Sequence, residues 1–390
     1  MNAAVRAVVR TALACGAQPY AIYEGWQGAC AGGDSIKKME WSDVSSILAE
    51  GGTVIGTARS ADFRTYEGRH RAAANLLEHG IDHLVVIGGD GSLSGTNEFR
   101  GEWAQHVAEL AAEGVISAET AAAHPALIIV GLVGSIDNDM VGTDMTIGAD
   151  TALHRILDAI DQLTSTAASH QRTFVVEVMG RHCGYLPLMA AVAGGADYVF
   201  TPEDPAGPGW QDDLAEHLRL GREAGRRESI VLVAEGAHDR DGNELSTQLI
   251  ADTIQERTGE DARVTILGHV QRGGTPSAYD RWMSTLLGYA AVQEILASTA
   301  EDEPVILGVR RNRITRIPLM KAVHDTRAVK DLIAAGDYAA AQASRGSSFS
   351  SMVGINQILS TPPQLTPEPT GEIKRVAILH AGGLAPGMNT

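Results

Sequence analysis

Four apolar runs in this chain each end in glycine with a polar residue close by, and that repetition narrows the folds open to it. The runs lead into I-G-G-D-G-S (87–92), V-G-S-I-D-N-D (133–139), V-M-G-R-H (178–182) and A-E-G (234–236). Strand-like stretches are His83 to Ile87, Ala126 to Val133, Thr173 to Val178, Ser229 to Ala234, Arg263 to Leu267 and Lys374 to Leu379. Amphipathic helical patterns lie between them, at Arg69 to His79, Ala149 to Leu163, Thr247 to Arg257 and Leu319 to Ala335. Continuous Val/Ile/Leu strands alternating with helices predict an α/β fold with mainly parallel sheets covered on both faces. Two Rossmann-like lobes are expected. Ligands of such sheets bind beyond the carboxyl ends of the strands, where the four glycines fall.

The glycine ends carry distinct chemistry. Gly88-Gly89-Asp90-Gly91-Ser92 lets backbone approach phosphate oxygens, and a helix N-terminus after it favours negative charge. Asp90 could hold Mg²⁺, which takes few protein carboxylates and keeps several waters. In Ser135-Ile136-Asp137-Asn138-Asp139 the two acids are two residues apart and share one face of an extended segment. One could act as base toward a substrate hydroxyl while the other orients it or helps place a metal. Each motif alone also fits a plain turn or an Asx-rich loop.

Arg59, Arg172, Arg181, Arg263 and Arg272 stand in polar or glycine-rich segments, and guanidinium groups suit bidentate phosphate recognition. They act against a global field, because 31 Lys and Arg face 48 Asp and Glu, a net charge of −17. Such acidity argues against nucleic acid or anionic membrane as partner. No apolar run approaches the roughly 18 residues of a membrane span, and a cytoplasmic enzyme is expected. The 3 cysteines, without C-x-x-C spacing, are expected to be buried thiols. The parts needed for phosphoryl transfer each have a candidate: a phosphate cradle, Mg²⁺, a base and clustered cations.

Together G-G-D-G-S, S-I-D-N-D, S-H-Q-R (169–172), M-G-R-H-C-G (179–184), R-V-T-I-L-G-H-V-Q-R-G-G (263–274) and Y-D-R (279–281) resemble the ATP-dependent 6-phosphofructokinases from Met1 to about Ile358. The resemblance implies that Asp137 is the base on the C1 hydroxyl of fructose 6-phosphate and that Asp90 holds Mg²⁺. It places Arg59, Ser60, Gly89, Asp90, Gly91 and Ser92 on ATP, with Trp26 near the adenine. Ser135, Ile136, Asp137, Asp139, Met179, Gly180, Arg181 and Glu235 fall to the sugar phosphate, as do His269, Val270, Gln271 and Arg272. Arg172 and Arg263 resemble residues lent across a subunit interface, which implies a homo-oligomer with shared active sites. Relatives using pyrophosphate carry Asp at the place of Gly91 and Lys at the place of Gly134, so ATP is favoured. The alternatives are a pyrophosphate enzyme or a non-catalytic half that binds effector or assembles.

The ends of the chain add a further expectation. Residues 361–375 hold four prolines and read as a linker after a catalytic half at 1–360. Residues 376–390 then resemble the start of a second half, with a glycine loop at Gly382 to Asn389. The first copy of that strand and loop would precede Met1, so a segment of a longer tandem polypeptide is expected.

Overall fold

Apolar residues of alternating orientation decide the architecture. In the second lobe Val176, Val178, Ile230 and Leu232 join one hydrophobic core, while Val175, Val231 and Val233 join another. Successive side chains of a strand point to opposite faces, so a strand apolar at every position must be covered on both. The structure, a computed structural model, describes residues 1–366 and 374–379.

The chain runs α1 (Asn2–Ala14), β1 (Tyr20–Ile22), α2 (Trp26–Ala31), β2 (Ile36–Lys38), α3 (Tyr66–Glu78), β3 (His83–Gly88) and α4 (Asp90–Ala112). It continues through α5 (Ala118–Ala123), β4 (Ile128–Ser135), β5 (Ile147–Gly148), α6 (Ala149–His170), β6 (Thr173–Val178), α7 (Tyr185–Gly194) and β7 (Tyr198–Phe200). Then come α8 (Trp210–Glu223), β8 (Ser229–Ala234), α9 (Thr247–Thr258), β9 (Ala262–Ile266) and α10 (Ala278–Ala297). The last elements are β10 (Val305–Arg310), β11 (Arg313–Pro318), α11 (Leu319–Ala334), α12 (Tyr338–Ser344) and α13 (Ser347–Ser360).

Two sheets follow the expected plan. The first is ordered β11-β10-β4-β3 with β5 on β4, parallel except for the β10–β11 hairpin. The second, β7-β8-β6-β9, is wholly parallel. The lobes interleave, because β10 and β11 return to the first sheet after the second is complete. A small antiparallel ribbon pairs β1 with β2.

Side-chain caps set several helix starts. Thr65 accepts from Gly68 N at α3, Ser246 from Leu249 N at α9 and Ser277 from Asp280 N at α10. Each such cap satisfies one of the orphan donors of a first turn and contributes about 1 kcal/mol.

Two expectations fail. Lys374 to Leu379 is no strand, and Ile378 is 98% exposed. An apolar run becomes a strand only where a neighbour takes its N–H and C=O groups, and none does so among the described residues. The expected glycine loop at 382–389 and most of the linker lie outside the described residues. Cys30 and Cys183 are buried as expected, but Cys15 is exposed, at the C-cap of α1.

Candidate active site

β3 and β4 run side by side, with Gly88 opposite Val133, so the G-G-D-G and S-I-D-N-D segments leave the sheet from the same end. Their approach is close, since a Cβ on Gly134 would stand 3.1 Å from Gly88 N. α4 begins at Asp90 with Gly89 as its N-cap residue. The N–H groups of its first turn have no partner within the helix and can meet an anion. A Cβ on Gly91 would meet nothing within 4 Å, so the space over this turn is open. Asp90 Oδ2 accepts a hydrogen bond from Arg327 Nε at 3.1 Å.

The end of β4 forms a local mesh around Asp137. Ser135 Oγ donates to Asp139 Oδ1 at 2.7 Å and accepts from Asp137 N at 3.2 Å. Asn138 takes a left-handed φ of 51°, and its Oδ1 accepts from Thr146 N at 2.7 Å. Asp137 itself is 7% exposed, and its Oδ1 has no hydrogen-bond partner among the described residues. Burial pushes its carboxyl up to about 6, and the charge of Asp139 adds to the rise. Arg181 and Arg272 pull the other way, while Glu235 raises it further. Those four charged groups therefore surround one buried acid.

The turn after β6 is held from two other strands. Gly180 has φ of 148°, and a Cβ there would lie 2.3 Å from Cys183 O, so only glycine fits. Arg181, at φ of 53°, donates its backbone N–H to Glu235 Oε2 at 3.1 Å. Met179 N donates to Gln271 Oε1 at 3.2 Å, and Gln271 Nε2 donates to Gly268 O at 3.0 Å. Gln271 is buried, whereas His269, Val270 and Arg272 on the same 3₁₀ turn are exposed. Ile136 packs against the second lobe's core.

Other expected residues stand apart. Arg172 Nε and Arg263 Nη2 both reach Asp261 Oδ2, at 2.8 Å and 2.9 Å. They sit at the amino ends of β6 and β9, opposite the turn that follows β6. The six residues of β6 separate the two ends by about 20 Å. Arg59 is exposed, and Ser60 Oγ accepts from Phe63 N at 3.1 Å. Trp26 stacks on Phe63 with ring centroids 4.0 Å apart and meets Phe99 edge-on, so one of its faces is taken by the core.

Residues 1–295 match the family model described as Phosphofructokinase. The chain belongs to the phosphofructokinase family. It is 49% identical over 389 residues to the liver-type ATP-dependent 6-phosphofructokinase of Homo sapiens, covering 100% of this chain and 50% of that protein. It is 48% identical over 391 residues to ATP-dependent 6-phosphofructokinase 1 of Caenorhabditis elegans, covering 100% and 48%. The solved structure of phosphofructokinase from Saccharomyces cerevisiae superposes with a TM-score of 0.90 at 50% identity, over 92% of this chain and 48% of that one. The chain thus spans about half the length of the curated relatives it matches.

Arg345 and Glu203, which frame the candidate site, carried no sequence signal. Arg345 Nε donates to Glu203 Oε1 at 2.8 Å, Nη1 to Asp139 O at 3.0 Å and Nη2 to His182 O at 2.8 Å. Glu203 Oε2 accepts from Gly184 N at 2.9 Å. This buried pair clamps the two loops that carry Asp137 and Arg181. Asp280, part of the Y-D-R string, is buried and accepts from Gly148 N and Thr151 N at 2.8 Å each, anchoring the start of α6. Its role is to position the helix.

Among the described residues, the open glycine turn carries one carboxylate, that of Asp90. A hard cation that keeps most of its own waters fits Asp90, whose Oδ1 has no protein partner among the described residues.

Proposed function

We propose that this chain transfers the γ-phosphoryl group of ATP to the C1 hydroxyl of fructose 6-phosphate, giving fructose 1,6-bisphosphate and ADP in the cytoplasm. One observation carries the reading: Asp137 is a buried carboxylate with an unpartnered oxygen, placed beside an open phosphate turn and ringed by arginines. A carboxylate held near pH 6 is a better proton acceptor than an ordinary one and is still mostly ionised at neutral pH. Asp137 Oδ1 takes the proton as the C1 oxygen bonds to the γ-phosphorus and the bond to the bridging β,γ oxygen breaks.

The remaining roles follow from position. Gly89 to Ser92 receive the nucleotide phosphates on backbone N–H groups, with Arg59 and Ser60 completing the ATP side. Asp90 would hold Mg²⁺, which supplies positive charge to the phosphates undergoing transfer. Ser135, Asp139, the Met179–Arg181 turn, Glu235 and the His269–Arg272 turn would bind fructose 6-phosphate. Arg172 and Arg263, remote from that cluster within one chain, would serve the substrate of a neighbouring chain in a homo-oligomer.

Pyrophosphate is the alternative donor. The open space at Gly91 favours the larger nucleotide, and the contact of Gly134 with Gly88 leaves no room for a side chain without movement of the backbone. A coupled assay of fructose 6-phosphate turnover with ATP-Mg²⁺ and with pyrophosphate separates the readings. ATP-dependent turnover that disappears in Asp137→Ala is expected. Turnover with pyrophosphate alone, or turnover retained in the variant, would refute the proposal.

A further inference from the structure

α3 and α4 bring together residues that phosphoryl transfer does not use. His70 on α3 faces His106 and Glu109 on α4, and one ligand atom from each lies within 4.8 Å of the others. His106 and Glu109 are three residues apart, so they share a face of their helix. The site lies sixteen residues along α4 from Asp90, about 24 Å at 1.5 Å per residue, well away from the phosphate turn.

We propose that His70, His106 and Glu109 form a binding site for one zinc-class divalent ion, with a water in the fourth position. The two Nδ1 atoms are 3.2 Å apart, and His70 Nδ1 is 3.6 Å from Glu109 Oε2. Ligands at about 2.0–2.1 Å from a tetrahedral zinc stand about 3.4 Å from one another, so these two separations match edges of such a site, and the third pair lies within 4.8 Å.

The outer nitrogens point the same way. His106 Nε2 is 3.3 Å from Glu102 Oε2, and His70 Nε2 is 3.5 Å from Glu113 Oε2. A metal-bound histidine places its other ring nitrogen toward a carboxylate, which fixes the tautomer and raises the basicity of the ligand. Here each histidine has its own carboxylate. Arg69 holds Glu102 through Nε at 2.6 Å and Nη2 at 2.8 Å, and the Tyr66 hydroxyl donates to Glu109 Oε2 at 2.7 Å.

A hydrogen bond between the imidazoles does not account for the cluster. His106 is 0% exposed, yet neither its Nε2 nor that of His70 makes an aligned hydrogen bond among the described residues. A buried ring nitrogen without a partner is costly and calls for an explanation. With an ion on both Nδ1 atoms, each Nε2 carries its proton toward the carboxylate already beside it.

The test uses the full chain, stripped with a chelator and titrated with Co²⁺, whose tetrahedral complexes absorb strongly in the visible. One equivalent per chain is expected, displaced by zinc, and lost in His70→Leu and in Glu109→Gln. Glu113→Gln, an exposed change that leaves the three ligands in place, is expected to weaken zinc binding by about 10–100-fold. Circular dichroism verifies that each variant is folded. Absence of a tetrahedral band, or one equivalent bound with equal affinity by wild type, His70→Leu and Glu113→Gln, would overturn the site.

Discussion

Arg345 and Glu203 are 142 residues apart in sequence, yet their side chains meet at 2.8 Å with solvent exposures of 6% and 0%. The remaining guanidinium donors reach the backbone of both loops that frame Asp137. The pair is thus less a source of stability than a fastening between two parts of the site.

Removing one partner of a buried ion pair strands the other charge. Arg345→Ala is expected to lower stability by about 3–5 kcal/mol, measured by urea unfolding. Arg345→Met combined with Glu203→Leu should recover much of that loss while leaving turnover depressed, because the contacts to Asp139 O and His182 O stay missing. Recovery of both stability and turnover would show that the fastening has no catalytic consequence.

The acid limb of the pH profile should report Asp137. Its carboxyl is raised to about 6, so kcat/KM for fructose 6-phosphate is expected to fall below about pH 6. Asp139 contributes to the rise, so Asp139→Asn should move the limb to lower pH, and Arg272→Ala should move it higher. Limbs that do not move in either variant would assign the titration to another group.

The same acid sets a stability difference. Below its unfolded value of 3.8 the carboxyl is protonated in both states and costs nothing. Between that value and about 6 the unfolded chain gives up its proton first, so stability falls as pH rises, and above about 6 the full cost of roughly 3 kcal/mol is present. Asp137→Asn should therefore be more stable than wild type at pH 8, with the gain vanishing near pH 4. Thermal unfolding at both values measures it.

Arginines at the amino ends of β6 and β9 should act for another chain. Mixed oligomers of Asp137→Ala and Arg172→Ala chains are expected to regain activity that neither has alone, as one kind of site receives both intact parts. Mixtures no more active than the separate variants would confine each site to one chain.

Much of this was legible in the residues. The five strands expected between His83 and Leu267 formed within two residues of their places, because uninterrupted Val/Ile/Leu runs leave few other ways to be covered on both faces, whereas β5 and β7 had no such run. Gly180 was likewise visible, since its backbone geometry admits little else, and the G-G-D-G turn was visible as a motif, although a Cβ on Gly91 would meet nothing within 4 Å. Arg345, Arg327 and Glu203 were not, because their partners lie more than a hundred residues away and no local spacing encodes them. Lys374 to Leu379 misled for a related reason: apolarity can propose a strand, but only a neighbouring chain segment can complete it.

The six residues of β6 end in Arg172 on one side and in the Met179–Arg181 turn on the other. If those ends face different substrates, the strand is a shared beam between two pockets. Because β6 is hydrogen-bonded to β8 on one side and to β9 on the other, only a tilt of the whole sheet would push a guanidinium toward one sugar phosphate while drawing a backbone turn away from the next. Communication between pockets would then need no relay of side chains, only the stiffness of one hydrogen-bonded sheet.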